Sequence, residues 1–192
     1  FQYIEKADKL VRPINYPKKV KYGKGSRVFE VGEYKIAVIN ALGLTFMFPL
    51  DSPWEIIKKE VKKLKKITPI ILIDFHAEAT AEKICFGRFC SELGVTAVIG
   101  THTHVQTADE KIINGMAYIT DAGFCGAADG VIGMEYKSSL NRFISGLQER
   151  YEIPKSKIIE INAVEILIDA ESGNALEIKR FLSEINYQEK KN

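Results

Sequence analysis

The apolar and polar residues of this chain form two kinds of pattern, one typical of buried β-strands and one typical of amphipathic helices. Short runs rich in β-branched residues predict strands over 27–31, 34–40, 70–75, 95–99, 117–120, 157–169 and 174–182. Apolar residues spaced by three and four positions predict helices over 1–10, 52–64, 80–93 and 137–147. The chain contains no internal repeat and no linker. We therefore expect an α/β fold in a single domain over 1–192, with a charged, frayed tail over 185–192.

The segment 70–99 is the centre of this pattern, because it reads as a strand, a helix and a second strand. Both strands are continuously apolar, which is typical of parallel strands buried on both faces. A βαβ unit brings the carboxyl ends of its two strands to the same edge of the sheet, where open α/β sheets bind their ligands. The spacing on the intervening helix predicts an inward face of Ala81, Ile84, Cys85, Phe89 and Leu93.

All three histidines of the chain follow these two strands. His76 lies in the motif D-F-H-A-E after the first strand, and His102 and His104 lie in G-T-H-T-H after the second. Residues two apart in extended backbone point to the same side, so we expect all three imidazoles to reach one point. We expect Gly100 to allow a sharp turn before Thr101, with a positive φ angle. A single histidine at a strand end is more often structural, but three that converge predict a metal site.

The chemistry of such a site follows from its ligand types. Imidazoles suit zinc, iron and related transition metals, whereas carboxylates favour manganese and magnesium. Asp74, Glu78 and Asp121 lie beside the histidines in sequence, and each is expected either to orient an imidazole or to serve only as a surface or capping residue. Three histidines alone would also suit a mononuclear zinc site that activates water.

Composition excludes several other classes of function. Among 192 residues, 27 Lys and Arg against 25 Asp and Glu give a net charge of +2, which is too balanced for a nucleic-acid-binding surface. No apolar run approaches the roughly 18 residues that a membrane span requires. The three cysteines form no C-x-x-C pair, which indicates a reducing cytoplasm. The glycine-rich segment 123–133 lacks the G-K-[ST] of a P-loop and predicts a rim loop.

Several motifs resemble the YmdB-like family of bacterial metallophosphoesterases. They are D-F-H-A-E-A-T at 74–80, G-T-H-T-H-V-Q-T-A-D at 100–109 and V-I-G-M at 131–134, and R-P-I-N-Y-P at 12–17 looks like the family's R-P-A-N-Y-P. The resemblance extends from the first residues to about residue 180. It implies the calcineurin-like sandwich of two mixed sheets flanked by helices. It also implies two metal ions, commonly iron or manganese with zinc or magnesium as alternatives, and hydrolysis of phosphodiesters such as 2′,3′-cyclic nucleotides.

By this resemblance, His76 and His102 bind one metal and His104 binds the other. The family completes its site with an early aspartate, a bridging glutamate beside an asparagine, and a G-N-H motif whose histidine is the expected general acid. None of these is found in this sequence. We therefore expect the N-terminal part of the domain to lie upstream of Phe1, and we assign no catalytic residue within the chain. On this expectation, residues 1–192 alone are incomplete and inactive, and the upstream part is needed for the second metal and for turnover.

The leading interpretation is a metal-dependent phosphodiesterase that acts on a small phosphodiester or cyclic nucleotide. We expect a cytoplasmic homo-oligomer without membrane association. Two alternatives remain open: a mononuclear three-histidine zinc enzyme of another reaction class, and a binding or regulatory module that keeps the fold without catalysis. Metal content per chain and activity on bis(p-nitrophenyl) phosphate would separate the first alternative from the leading interpretation.

Overall fold

The computed structural model describes residues 2–17, 19–148 and 150–186. Its helices are α1 (Gln2–Lys6), α2 (Pro53–Leu64), α3 (Thr80–Glu92) and α4 (Tyr136–Ser145). Its strands are β1 (Ser26–Val31), β2 (Tyr34–Leu42), β3 (Ile70–His76), β4 (Ala97–Thr101), β5 (Lys111–Ile113), β6 (Met116–Ile119), β7 (Cys125–Ala127), β8 (Ile158–Ile168) and β9 (Ala175–Asn186). The sequence pattern does not predict β5 or β7, because strands of three residues carry no periodic signal. None of the described helices has the length and apolar character that a membrane crossing requires.

A six-stranded mixed sheet forms the centre of the fold, in the order β1-β2-β3-β4-β6-β5. β2, β3, β4 and β6 are parallel to one another, and β1 and β5 join the two edges antiparallel. The predicted pairing of the two strands in 70–99 is confirmed, since β3 and β4 are parallel neighbours with His76 opposite Thr101. The residues that follow β3 and β4 therefore meet at one edge of the sheet.

One face of this sheet packs against α2 and α3. The predicted inward face of α3 is wrong for three of its five residues, because Ala81, Ile84 and Cys85 are exposed. The helix instead buries Lys83, Phe86, Gly87, Cys90 and Ser91, with Phe89 and Leu93 only partly buried. The prediction placed the face by apolar residues alone, whereas the true face contains Lys83, whose ammonium is buried against Asp121, a residue that follows β6.

The opposite face of the sheet is covered by a second sheet of β7, β8 and β9, which is antiparallel throughout. A small buried cluster of Ala97, Ala117 and Ala175 lies between the two sheets. The segment 123–133 is not all loop, because β7 lies within it and pairs with β8. The expected frayed tail is wrong at residues 185 and 186, which end β9, and residues 187–192 lie outside the described residues.

Candidate metal centre

His76 and His102 lie in contact at the carboxyl ends of β3 and β4. His76 is the last residue of β3, and His102 follows β4 directly. His102 Nδ1 lies 3.0 Å from His76 Nε2, and the two rings are nearly perpendicular, with centroids 4.8 Å apart. The parallel pairing of β3 and β4 thus brings together two residues that are 26 positions apart in the chain.

A chain of hydrogen bonds orients the ring of His76. Thr101 Oγ1 donates to Asp74 Oδ1 at 2.8 Å and lies 3.0 Å from His76 Nδ1. Because the single hydroxyl proton goes to Asp74, the hydroxyl oxygen accepts from His76 Nδ1–H, and the lone pair of His76 lies on Nε2. Asn40 Nδ2 donates to the second oxygen of Asp74 at 2.7 Å. Asp74 therefore orients His76 through Thr101, which is one of the two roles expected for it.

The surroundings of the pair favour a neutral imidazole at His76. Burial lowers the pKa of His76, and the neighbouring His102 lowers it further, against the opposing effect of Asp74. A neutral imidazole is the form that binds a metal. On the other side of the pair, Glu78 Oε2 lies 2.8 Å from His102 Nε2, so Glu78 contacts an imidazole directly.

The backbone between His102 and His104 is not extended. His102 has φ 121° and His104 has φ 60°, and non-glycine residues rarely adopt these values. The extended geometry assumed from the sequence is therefore wrong here. His104 makes contacts of its own: its Nδ1 lies 2.9 Å from Ile132 O, and its ring stacks on Phe124 with centroids 5.8 Å apart. Within the described ranges, no three His, Cys, Asp or Glu side chains form a group that could hold a metal ion.

Asp121 stabilises the turn at residues 102–104. Its buried carboxylate accepts hydrogen bonds from Thr103 N at 3.0 Å and from Gly123 N at 2.9 Å. Lys83 Nζ, also buried, lies 2.7 Å from Asp121 Oδ2. Burial raises the pKa of Asp121, but the hydrogen bonds from Lys83, Thr103 and Gly123 outweigh it and hold that pKa below its ordinary value. Asp121 therefore supports the backbone between two histidines, and its hydrogen bonds to described residues go to neither ring.

Two residues that support the centre were not predicted from the sequence. Lys83 was overlooked because charged residues are rarely buried, although its spacing to Phe86 and Gly87 places it on the buried side of α3. Asp109 ties the chain beyond His104 to the end of β6. Its carboxylate accepts from the Thr107 hydroxyl at 2.7 Å, and from the amide and hydroxyl of Thr120 at 3.0 and 2.6 Å. Its place in the motif at 100–109 was the available signal.

Gly100 has a different role from the one expected. It lies inside β4 and does not have a positive φ angle, so the expected sharp turn at this position is wrong. A Cβ atom at Gly100 would collide with the backbone carbonyl of Thr120. The residue is glycine because the chain after β6 passes close to it, and Ala122 N donates to Gly100 O at 2.8 Å.

Comparison with known proteins identifies the family to which this chain is similar. The sequence model of the family described as YmdB-like protein matches residues 1–181. The 2′,3′-cyclic-nucleotide 2′-phosphodiesterase of Bacillus subtilis (strain 168) is 41% identical over 183 residues, which cover 95% of this chain and 68% of that protein.

Two solved structures share the fold. A phosphatase from Mycoplasma pneumoniae superimposes with a TM-score of 0.87 at 33% identity, covering 96% of this chain and 66% of that one. A hypothetical protein from Thermus thermophilus has the same TM-score at 31% identity, covering 95% and 70%. The chain thus spans about two thirds of the length of each of these relatives. It belongs to the YmdB-like family of phosphoesterase-type hydrolases and has the metallophosphoesterase fold.

Proposed function

We propose that the protein hydrolyses phosphodiesters, with 2′,3′-cyclic nucleotides as the first candidates, at a centre of two metal ions. The observation that carries this proposal is the contact between His76 Nε2 and His102 Nδ1 at the carboxyl edge of the parallel strands. Ligands of open α/β sheets bind at this edge. The substrate class comes from the name of the Bacillus subtilis relative, which is 41% identical.

The spacing of the two histidines fits one metal. His76 Nε2 and His102 Nδ1 are 3.0 Å apart, which is close enough for both nitrogens to bind the same ion. Imidazole nitrogens suit transition metals better than magnesium. We therefore propose a transition metal at this pair, with iron or manganese preferred over zinc because the family resemblance favours them.

His104 is our candidate ligand for the second metal. Since a carbonyl only accepts, the contact with Ile132 O puts the proton on His104 Nδ1 and leaves the lone pair on Nε2. Stacking on Phe124 limits rotation of the ring. These separate contacts argue against the mononuclear zinc alternative, which needs all three histidines at one point.

Metal ions bound here would lower the pKa of a water molecule and offset charge on the phosphate oxygens. Contacts within the chain orient the histidine ligands for this chemistry. Asp74 and Thr101 hold the proton on His76 Nδ1, and Glu78 fixes His102 at Nε2. Because these contacts exist before substrate binds, little reorganisation is needed during the reaction.

The test uses His102→Ala in the protein that includes the upstream part expected to complete the site, with the exposed Cys85→Ser on α3 as its matched control. Metal per chain is measured by inductively coupled plasma mass spectrometry, and turnover is measured with 2′,3′-cyclic AMP in buffer containing Mn²⁺. We expect His102→Ala to hold less metal and to lose more than about 100-fold in kcat/KM, since removing groups that only orient ligands already costs 10–100-fold. Cys85→Ser should match the wild type.

Three results would contradict the proposal. Full metal content and full turnover in His102→Ala would show that the histidine pair is not part of the metal centre. One zinc per chain without phosphodiester cleavage would favour the mononuclear alternative. Metal binding that persists without any hydrolysis of 2′,3′-cyclic AMP or bis(p-nitrophenyl) phosphate would favour a binding or regulatory module.

We also propose a single domain that acts in the cytoplasm as a homo-oligomer. The free thiols of Cys85, Cys90 and Cys125 support a reducing compartment. Exposed apolar side chains on β9, among them Phe181 and Leu182, support association between copies. Light scattering at several protein concentrations measures the mass; a monomer at every concentration would contradict the last point.

A further inference from the structure

An apolar cavity of about 490 Å³ opens directly beside the histidine pair. His76 and His102 line it together with Phe46, Met47 and Phe48. The aromatic residues belong to the segment 43–50, which joins β2 to the residues before α2 and is called here the aromatic loop. The lining of the cavity therefore combines residues that suit an anion bound through metals with residues that suit an aromatic or aliphatic group.

The two phenylalanines of the aromatic loop are both largely exposed and lie two positions apart in the chain. Phe46 is 87% exposed and Phe48 is 82% exposed. Exposure of large apolar side chains is unfavourable, and neighbouring ones mark a surface that binds something. Phe46 also has φ 62°, a backbone conformation that a residue with a Cβ atom rarely adopts. The backbone conformation at Phe46 is therefore held by the rest of the loop.

Two side chains outside the aromatic loop hold it rigidly. The fully buried Asn15 donates to Leu42 O and Asp51 O and accepts from Leu42 N, each at 3.0 Å, so that one amide joins both ends of the loop. Glu82 on α3 accepts from the amides of Leu44 and Thr45 at 2.9 and 3.1 Å. Asn15 lies in R-P-I-N-Y-P, so this motif acquires a role: it fixes the loop that carries the two rings.

We propose that Phe46 and Phe48 form a stacking platform for the base of the nucleotide substrate, while the histidine side of the cavity receives the phosphodiester. This inference rests on the proposed function. A nucleotide has a charged phosphodiester at one end and a flat aromatic base at the other, and the cavity has the same two parts. Because every base has an aromatic face, stacking on phenylalanine tolerates different bases.

The test compares a substrate that has a base with one that lacks it. Phe46→Ala and Phe48→Ala are assayed with 2′,3′-cyclic AMP and with methyl riboside 2,3-cyclic phosphate. Phe143→Ala is the matched control, since Phe143 is also 82% exposed but lies on α4 and does not line the cavity. Stacking of one base corresponds to about 5- to 140-fold in affinity. We expect KM for 2′,3′-cyclic AMP to rise by that factor with kcat little changed, and both constants for the baseless substrate to stay constant.

Replacement of Phe46 by tryptophan should preserve the low KM, because a larger ring still stacks. An equal effect of the alanine variants on both substrates, or no effect on either, would overturn the platform while leaving the proposed function intact. Variants that change the molar mass in solution but not KM would show that the aromatic loop is instead a contact between copies. If the wild type that includes the upstream part cleaves neither substrate, the proposed function itself fails, and the inference fails with it.

Discussion

The ion pair between Lys83 and Asp121 provides the sharpest test of how the histidine turn is supported. The two side chains are 1% and 0% exposed, and Lys83 Nζ lies 2.7 Å from Asp121 Oδ2. Lys83→Met keeps an unbranched chain of similar length and removes the charge. A buried charge that loses its partner costs about 3–5 kcal/mol in the free energy of unfolding. Because Thr103 N and Gly123 N still donate to Asp121, we expect the lower end, about 3 kcal/mol.

The reciprocal change should cost more. Asp121→Asn leaves the ammonium of Lys83 buried without its countercharge, and we expect about 5 kcal/mol. For a chain of this size, 1 kcal/mol changes Tm by about 2–4 °C, so the two variants should lose about 6–12 °C and 10–20 °C. The double variant of Lys83→Met and Asp121→Asn should lose less than the sum of the two, because no unpaired charge remains.

Urea unfolding followed by tryptophan fluorescence is a suitable assay, since Trp54 is the only tryptophan and packs on Phe86 of α3, with ring centroids 5.5 Å apart. The exposed Lys62→Met on α2 is the matched control and should change stability by less than about 0.5 kcal/mol. The reasoning is refuted if Lys83→Met is as stable as Lys62→Met, or if the costs of the two single variants simply add in the double variant.

Two further predictions concern Gly100 and Asp109. Gly100→Ala should lower the free energy of unfolding in urea by more than about 2 kcal/mol, because the added Cβ atom collides with the Thr120 carbonyl. The control is Gly32→Ala, where the added Cβ atom meets open space and only the positive φ angle costs about 1 kcal/mol. Equal losses in the two variants would contradict the collision at Gly100. Burial raises the pKa of Asp109, but hydrogen bonds from Thr120 and Thr107 outweigh it and hold that pKa below its ordinary value. Its contribution to stability is therefore present above about pH 4 and is lost as the pH falls through the lowered pKa. Asp109→Asn should be less stable than the wild type at pH 7 and should approach it near pH 2; a constant difference across this range would refute the assignment.

Local patterns in the sequence were sufficient for most of the elements and for the place of the site. The apolar runs 70–75 and 95–99 read as parallel strands because both faces of β3 and β4 are covered, one by helices and one by the second sheet. The position of His76 and His102 after these strands then followed from the geometry of a βαβ unit. This inference needed only the periodicity of the apolar residues, the order of the strands and helix, and the direction of the chain. All three can be read from the local sequence.

The tertiary structure alone decided how the centre is supported. Lys83 and Asp121 are 38 positions apart. The spacing of Lys83 to Phe86 and Gly87 indicates the side of α3 on which it lies, but no local pattern indicates that its ammonium is paired with Asp121. The φ angles at His102 and His104 depart from extended backbone, and the two rings make different contacts, His102 with His76 and Glu78 and His104 with Ile132 and Phe124. These features depend on hydrogen bonds and steric contacts between segments that are distant in the chain. Such contacts produce no periodic pattern in the sequence. The sequence therefore determined which residues reach the edge of the sheet, and the fold determined which of them touch.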